Sequence, residues 1–305
     1  MTADAHAFLR GAITAVPTPF EDGELDLAGL DRLVRHQAMQ RAAAVVIGGA
    51  TGEGWSLSPD EMARVVGRAV ETAAEHARGP LRVLAGICEI DSRRAARLAR
   101  QATAVGADGL VVSAPAYVRP SKTGLVRHVQ TIADGLPHEL PIVLANEPSR
   151  TATDFTPKVV ERAHLAVSSI VALCEGVGRP SRVRGLAEEL PVPLLSGDDR
   201  MLGPFLRGGA VGAITVVGNL VPGEVARLVE SIAANDSSAD AVERALAPIV
   251  DALRVGPNPV PIKAALAALG AIEDEVRPPL ATLSDRKRRA LERALTLARL
   301  MVPTS

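Results

Sequence analysis

The chain has 305 residues, 47% hydrophobic and 23% charged, enough to bury a large core as one barrel or as two ordinary domains. Lys+Arg of 34 against Asp+Glu of 35 leaves a formal net charge of -1, and the longest basic run, Arg286-Lys287-Arg288-Arg289, reads as a solvated helix face, so nucleic acid is excluded as an expected partner. Cys88 and Cys174 supply neither a disulfide framework nor zinc-site spacing, Met1 to Arg10 lacks the pattern of a secretory leader, and no apolar stretch reaches the roughly 18 residues of a bilayer span. The expectation is a cytoplasmic protein with no metal, no cofactor and no membrane partner.

Short apolar runs then recur along the chain: Ile13-Thr14-Ala15-Val16, Ala44-Val45-Val46-Ile47, Val83-Leu84-Ala85-Gly86 and Leu110-Val111-Val112-Ser113 come first. Ile142-Val143-Leu144-Ala145, Ile170-Val171-Ala172-Leu173, Leu194-Leu195-Ser196 and Ala213-Ile214-Thr215-Val216 complete the series. Continuous apolar runs suit parallel strands covered on both faces. Amphipathic stretches lie between them, near 25–40, 58–76, 91–105, 121–135, 156–166, 179–189, 199–208 and 222–234. The second opens on Ser58-Pro59-Asp60-Glu61, a Ser cap with Pro at the first helical position and acids that complement the helix dipole. Eight strand-helix units predict a closed (β/α)8 TIM barrel over 1–235. Three further helical segments near 238–254, 259–270 and 284–301 predict a C-terminal appendage over 236–305, packed on the barrel without a linker.

In such a barrel the reacting groups sit at the carboxyl ends of the strands. There the chain carries Pro17-Thr18-Pro19-Phe20, Gly49-Ala50-Thr51-Gly52-Glu53, Asn146 with Pro148-Ser149-Arg150, Ser196-Gly197-Asp198-Asp199 and Gly212-Ala213-Ile214-Thr215-Val216 with Asn219. Asn258-Pro259-Val260-Pro261-Ile262-Lys263 follows in the appendage. Together these motifs resemble, in order and over nearly the whole chain, the dihydrodipicolinate synthase / N-acetylneuraminate lyase family. The resemblance implies a substrate-binding set of Gly49, Ala50, Thr51, Gly52, Asn146, Arg150, Gly197 and Ile214. In it, the backbone N–H groups of the strand-two loop receive a keto acid's carboxylate, and Arg150 receives a second anionic group. It also implies a homo-oligomer, a dimer of dimers, in which Tyr117 of the strand-four loop reaches a neighbouring site.

The same resemblance places a Schiff-base lysine at the end of strand six, where this chain has Cys174 in Val171-Ala172-Leu173-Cys174-Glu175-Gly176. A thiol cannot form that imine. Lys122, Lys158, Lys263 and Lys287 all fall away from strand ends. The family's two relay hydroxyls correspond to Ala145 and Ala50, which have none. Two readings stay open for Cys174, a small buried hydrophobe or a nucleophile, and two for Glu147, a loop carboxylate or a general acid/base. Tyr117, Cys174 and Glu147 are therefore the catalytic candidates. The function expected is a pocket for a small carboxylate or keto acid in a lyase-type enzyme of altered chemistry, the alternative being a catalytically inactive binding or regulatory homologue.

Overall fold

A computed structural model describes residues 3–76, 81–298 and 300. Eight parallel strands close a barrel: β1 Ala12–Ala15, β2 Ala44–Ile47, β3 Arg82–Ile87, β4 Gly109–Ser113, β5 Ile142–Asn146, β6 Ile170–Glu175, β7 Leu194–Ser196 and β8 Gly212–Thr215. Each strand pairs with its successor, and β8 returns to β1 through Ala12↔Ala213 and Thr14↔Thr215. The helices between them are α1 Leu27–Met39, α2 Pro59–His76, α3 Ser92–Ala104, α4 Lys122–Asp134, α5 Pro157–Ala166, α6 Pro180–Glu189, α7 Leu202–Arg207 and α8 Pro222–Ala233. The TIM barrel expected from the sequence is thus the fold, and it is followed by helices α9 Ala239–Ala252, α10 Val260–Ala268 and α11 Asp285–Leu297.

The strands are apolar on both faces because each face has its own core. Ile13, Ala44, Val46, Leu84, Val111, Val143, Ala172 and Leu195 point inward, with Phe8 and Leu9 of the N-terminal turns packed against them. Their alternates, among them Val45, Ile47, Val83, Leu110, Ile142, Leu144 and Leu173, pack against the helices. The uppermost inward positions are small: Ala15, Ser113, Ala145 and Cys174. A layer of small side chains above Val46, Val111 and Ile214 leaves the strand-end mouth open, and this is why the barrel has a cavity there.

Three local outcomes differ from the sequence reading. Strand β8 stops at Thr215 instead of running to Val216, because the backbone N–H groups of Val216 and Val217 donate to the carboxylate of Asp199 instead of to a neighbouring strand. Strand β6 runs two residues past Leu173 to Glu175, held by Cys174↔Leu195 and Glu175↔Ser196. A small hairpin, Phe20–Glu21 with Glu24–Leu25, was not anticipated, although its turn Asp22-Gly23 has both residues at positive φ, 52° and 85°. The expected cap of α2 is a full reciprocal box, with Ser58 N–H donating to Glu61 at 2.7 Å and Glu61 N–H to the Ser58 hydroxyl at 3.2 Å. The last helix, expected to reach residue 301, ends at Leu297 with Ala298 as its C-cap, and residues 299 and 301 lie outside the described residues. Among the described residues no helix is long and apolar enough to cross a membrane.

Candidate functional site

The strand-end cavity has a volume of about 80 Å³. Its rim is the loop after β2, where Gly48 at φ 69° and Glu53 at φ 53° reverse the chain. Gly52 has to lack a side chain, since a β-carbon there would come within 2.7 Å of the Gly48 nitrogen. Its carbonyl accepts the Thr18 hydroxyl at 2.7 Å, so the segment after β1 props the loop from beneath. Gly49, Ala50 and Thr51 line the cavity, whereas Gly52 lies behind it. Among the described residues no protein acceptor is paired with the backbone N–H groups of Ala50 or Thr51. Two adjacent donors are therefore free to face an anion.

The loop is anchored by its own Glu53. This carboxylate is fully buried and forms an ion pair with Lys263 of α10, which is also fully buried, while its other oxygen accepts the Arg277 N–H at 2.9 Å. Lys263 donates to the Glu275 carbonyl at 2.7 Å and lies 4.2 Å from the Phe20 ring centroid; the Arg277 guanidinium lies 4.3 Å from that centroid. Burial pushes the Lys263 ammonium below its ordinary pKa, and Glu53 pulls it back up. Asn258, just before α10, donates to the Thr51 hydroxyl at 2.9 Å and reaches the cavity wall. The C-terminal helices thus hold the loop that holds the donors.

Strands β5 and β6 supply the opposite wall. Asn146, expected to bind substrate, does not line the cavity. Its amide donates to Asp154 at 2.8 Å and to Glu175 at 3.0 Å, and its carbonyl oxygen accepts Phe155 N–H at 2.9 Å. Glu175, fully buried, also accepts Val177 N–H at 2.8 Å and Arg182 at 2.9 Å, and Arg182 bridges to Asp154 at 2.6 Å. The network orients the ends of β5 and β6 and leaves Asn146 no group for a ligand. Cys174 and Gly197 do line the cavity, and a β-carbon at 197 would lie 2.8 Å from the Cys174 sulfur. Burial raises the pKa of the Cys174 thiol, and the carboxylates of Glu147 and Glu175 raise it further. Cys88, whose sulfur is 3.5 Å from the Ser113 hydroxyl, is pushed up to about 11, again chiefly by burial. Both thiols are protonated at neutral pH, the inert form of cysteine.

Glu147 lines both this cavity and a second one outside it, of about 220 Å³, which Arg150 also lines. The Arg150 Nε lies 3.4 Å from the Glu147 carboxylate, and its terminal nitrogen donates to the Asn258 carbonyl at 3.3 Å. Burial raises the Glu147 pKa and Arg150 lowers it in part. Ile214 lines both cavities. Asp199, half-buried at the outer cavity, has its pKa raised to about 7 by burial, against the pull of the Val216 and Val217 N–H groups. Tyr117, at φ 69°, is 88% exposed and does not line the cavity of its own chain. Among the described residues no group of three or more His, Cys, Asp or Glu side chains could hold a metal ion. Asn258 and Ser113, two polar wall residues the sequence reading did not propose as ligand contacts, come to the cavity by strand register and by the path of the appendage.

Known proteins resemble the chain over nearly its whole length. The Dihydrodipicolinate synthetase family pattern matches residues 8–298. The 4-hydroxy-tetrahydrodipicolinate synthase of Syntrophus aciditrophicus is 36% identical over 289 residues, covering 94% of this chain and 97% of that protein. That of Rickettsia akari is 33% identical over 291 residues, covering 94% and 96%. Among solved structures, dihydrodipicolinate synthase from Aquifex aeolicus superposes with a TM-score of 0.90 at 32% identity, over 95% of this chain and 98% of that one. The chloride-inhibited enzyme from Acinetobacter baumannii, complexed with pyruvate, superposes with a TM-score of 0.90 at 30% identity, over 96% and 100%. The ordered strand-end motifs, the closed barrel and these similarities together make the chain a member of the dihydrodipicolinate synthetase family.

Proposed function

We propose that the strand-end cavity binds a small carboxylate or keto acid and supports lyase-type chemistry that does not pass through a lysine imine. One observation carries the reading: among the described residues the loop still offers the unpaired N–H groups of Ala50 and Thr51, while no lysine lines the cavity. Cys174 stands where the family resemblance places the imine-forming amine, and a protonated thiol supplies no electron sink for carbon–carbon cleavage. Lys122 and Lys158 lie in the first turns of α4 and α5, Lys287 lies on α11, and Lys263 is committed to Glu53. Ala145 and Ala50 at the cavity wall bring no hydroxyl for a proton relay, and each lost acid/base group costs roughly 10² to 10⁴ in rate. The pyruvate held by the Acinetobacter baumannii relative supports a carboxylate ligand of that size.

The protonated Cys174 supports a second reading, binding without turnover. Tyr117 fits an oligomeric site: it lies with Trp55, Ile90 and Val118, also exposed, on the successive loops after β2, β3 and β4, where a neighbouring copy could cover them. Pyruvate and 2-oxoglutarate titrated by calorimetry, followed by borohydride treatment and intact-mass measurement, test the proposal. Binding with no reduced adduct is expected. A stoichiometric adduct on any lysine overturns the absence of an imine, and no carboxylate binding below the millimolar range overturns the pocket. Turnover of a bound carboxylate, followed by nuclear magnetic resonance, separates enzyme from silent binder.

A further inference from the structure

The charges around the cavity are lopsided. Among the described residues its lining includes no lysine, arginine or histidine, its two thiols are protonated, and Glu147 is the one carboxylate of the wall. Room for this carboxylate is made by Gly176: a β-carbon there would approach the Glu147 Cγ at 3.1 Å. Among the described residues Glu147 has one cation in reach, and the pairing is loose, with Arg150 Nε at 3.4 Å and a terminal nitrogen of that guanidinium donating to the Asn258 carbonyl. A partly buried carboxylate with an imperfect partner keeps acceptor capacity, and a ligand cation could complete its hydrogen bonds. Across the same space lie the two unpaired N–H donors of the strand-two loop, which call for an anion. Anion donors on one wall and a lone carboxylate on the other together match a zwitterion.

We infer that the cavity takes a small amino carboxylate, with its carboxylate on the Ala50 and Thr51 N–H groups and its ammonium against Glu147. The carboxylate half rests on the reading under Proposed function; the ammonium half does not. A keto acid satisfies only the donors and leaves Glu147 with Arg150. A diacid has to compete with Glu147 for the same arginine. A ligand that brings its own amine satisfies both walls of a cavity whose protein amine is absent.

The experiment is calorimetry near neutral pH on the full chain with matched probes: L-alanine and β-alanine against propionate, and 4-aminobutyrate against butyrate. The three amino acids place the ammonium at increasing distance from the carboxylate. At least one is expected to bind about tenfold or more tighter than its desamino partner, as an added charge-assisted contact would give. In Glu147→Gln, an isosteric change, the margin between the amino acid and its partner should collapse. If propionate or butyrate binds and every amino acid binds no better, the inference falls and the carboxylate pocket stands. If the margin survives in Glu147→Gln, the ammonium site is elsewhere and the inference falls. If nothing binds, both readings fall together. The comparison within the wild-type protein decides even if the variant folds poorly.

Discussion

Lys263→Met isolates the anchor of the strand-two loop. Both Lys263 and Glu53 are fully buried, so methionine keeps the stem's packing and removes the ammonium facing that carboxylate. Among the described residues Glu53 would keep the Arg277 backbone N–H at 2.9 Å and no ion-pair partner. Removing one partner of a buried pair costs about 3 to 5 kcal/mol, because the remaining charge is stranded in a low-dielectric site. The loss of the ammonium from the Phe20 face, at 4.2 Å, falls within that figure. Against a total stability of about 5 to 15 kcal/mol this is a large fraction, readable by urea denaturation followed by circular dichroism. Glu53→Gln together with Lys263→Met should recover most of the loss, to within about 1 kcal/mol of wild type, since glutamine still accepts the Arg277 N–H and strands no charge. A cost below about 1 kcal/mol for the single change, or a double variant no more stable than Lys263→Met, would refute the reasoning.

Other outcomes follow from the same geometry. Gly197→Ala brings a β-carbon to 2.8 Å of the Cys174 sulfur, so it should cost about 1 to 3 kcal/mol and weaken carboxylate binding; unchanged stability and affinity would show that the wall yields freely. Asp199, raised to about 7 from 3.8, holds a proton in the folded state that the unfolded chain has already lost. Its stabilisation is full below 3.8 and disappears as pH rises through about 7. Asp199→Asn should therefore flatten the fall in stability across that window, and denaturation midpoints measured at several pH values would contradict this if both proteins fall alike. Arg182→Met strands the fully buried Glu175 with Asn146 and the Val177 N–H, so the expected loss is about 3 kcal/mol or more, checked by thermal denaturation. Tyr117→Glu places a charge on an exposed apolar loop face, and light scattering should show a smaller assembly than wild type; an unchanged mass would remove Tyr117 from any subunit contact.

The barrel was legible because its signals are local and repeated. Each strand reads as an apolar run, such as Val45 and Ile47 facing helices while Ala44 and Val46 face the barrel interior, and that pattern survives errors of a residue or two at the ends. The ends themselves depend on distant partners. Val216 reads as strand, yet its N–H goes to Asp199, seventeen positions earlier, a contact that no local pattern announces. The Asp22-Gly23 turn does carry a local signal, the pairing of an αL-tolerant residue with glycine between short extended segments, but strands of two residues fall below any periodicity.

The glutamates show why the site was harder to read than the fold. Glu53, Glu147 and Glu175 all lie at or just past strand ends, and in sequence they are alike. Their roles separate only through residues far along the chain. Lys263 and Arg277 close around Glu53, more than two hundred positions away, and Arg182 with Asn146 closes around Glu175. Both carboxylates are fully buried and spend every available contact on holding loops and strand ends in place. Glu147 has only the loose Arg150 contact and opens onto the cavity. Asn146 illustrates the reverse error: its motif suggested a ligand contact, and its three polar contacts are all taken by the protein. Whether a polar group at a strand end serves a ligand depends on how many of its hydrogen bonds the scaffold has already used. By that measure Glu147 and the N–H groups of Ala50 and Thr51 keep hydrogen-bonding capacity for a ligand, whereas Glu53 and Glu175 are taken up in holding the loop and the strand ends.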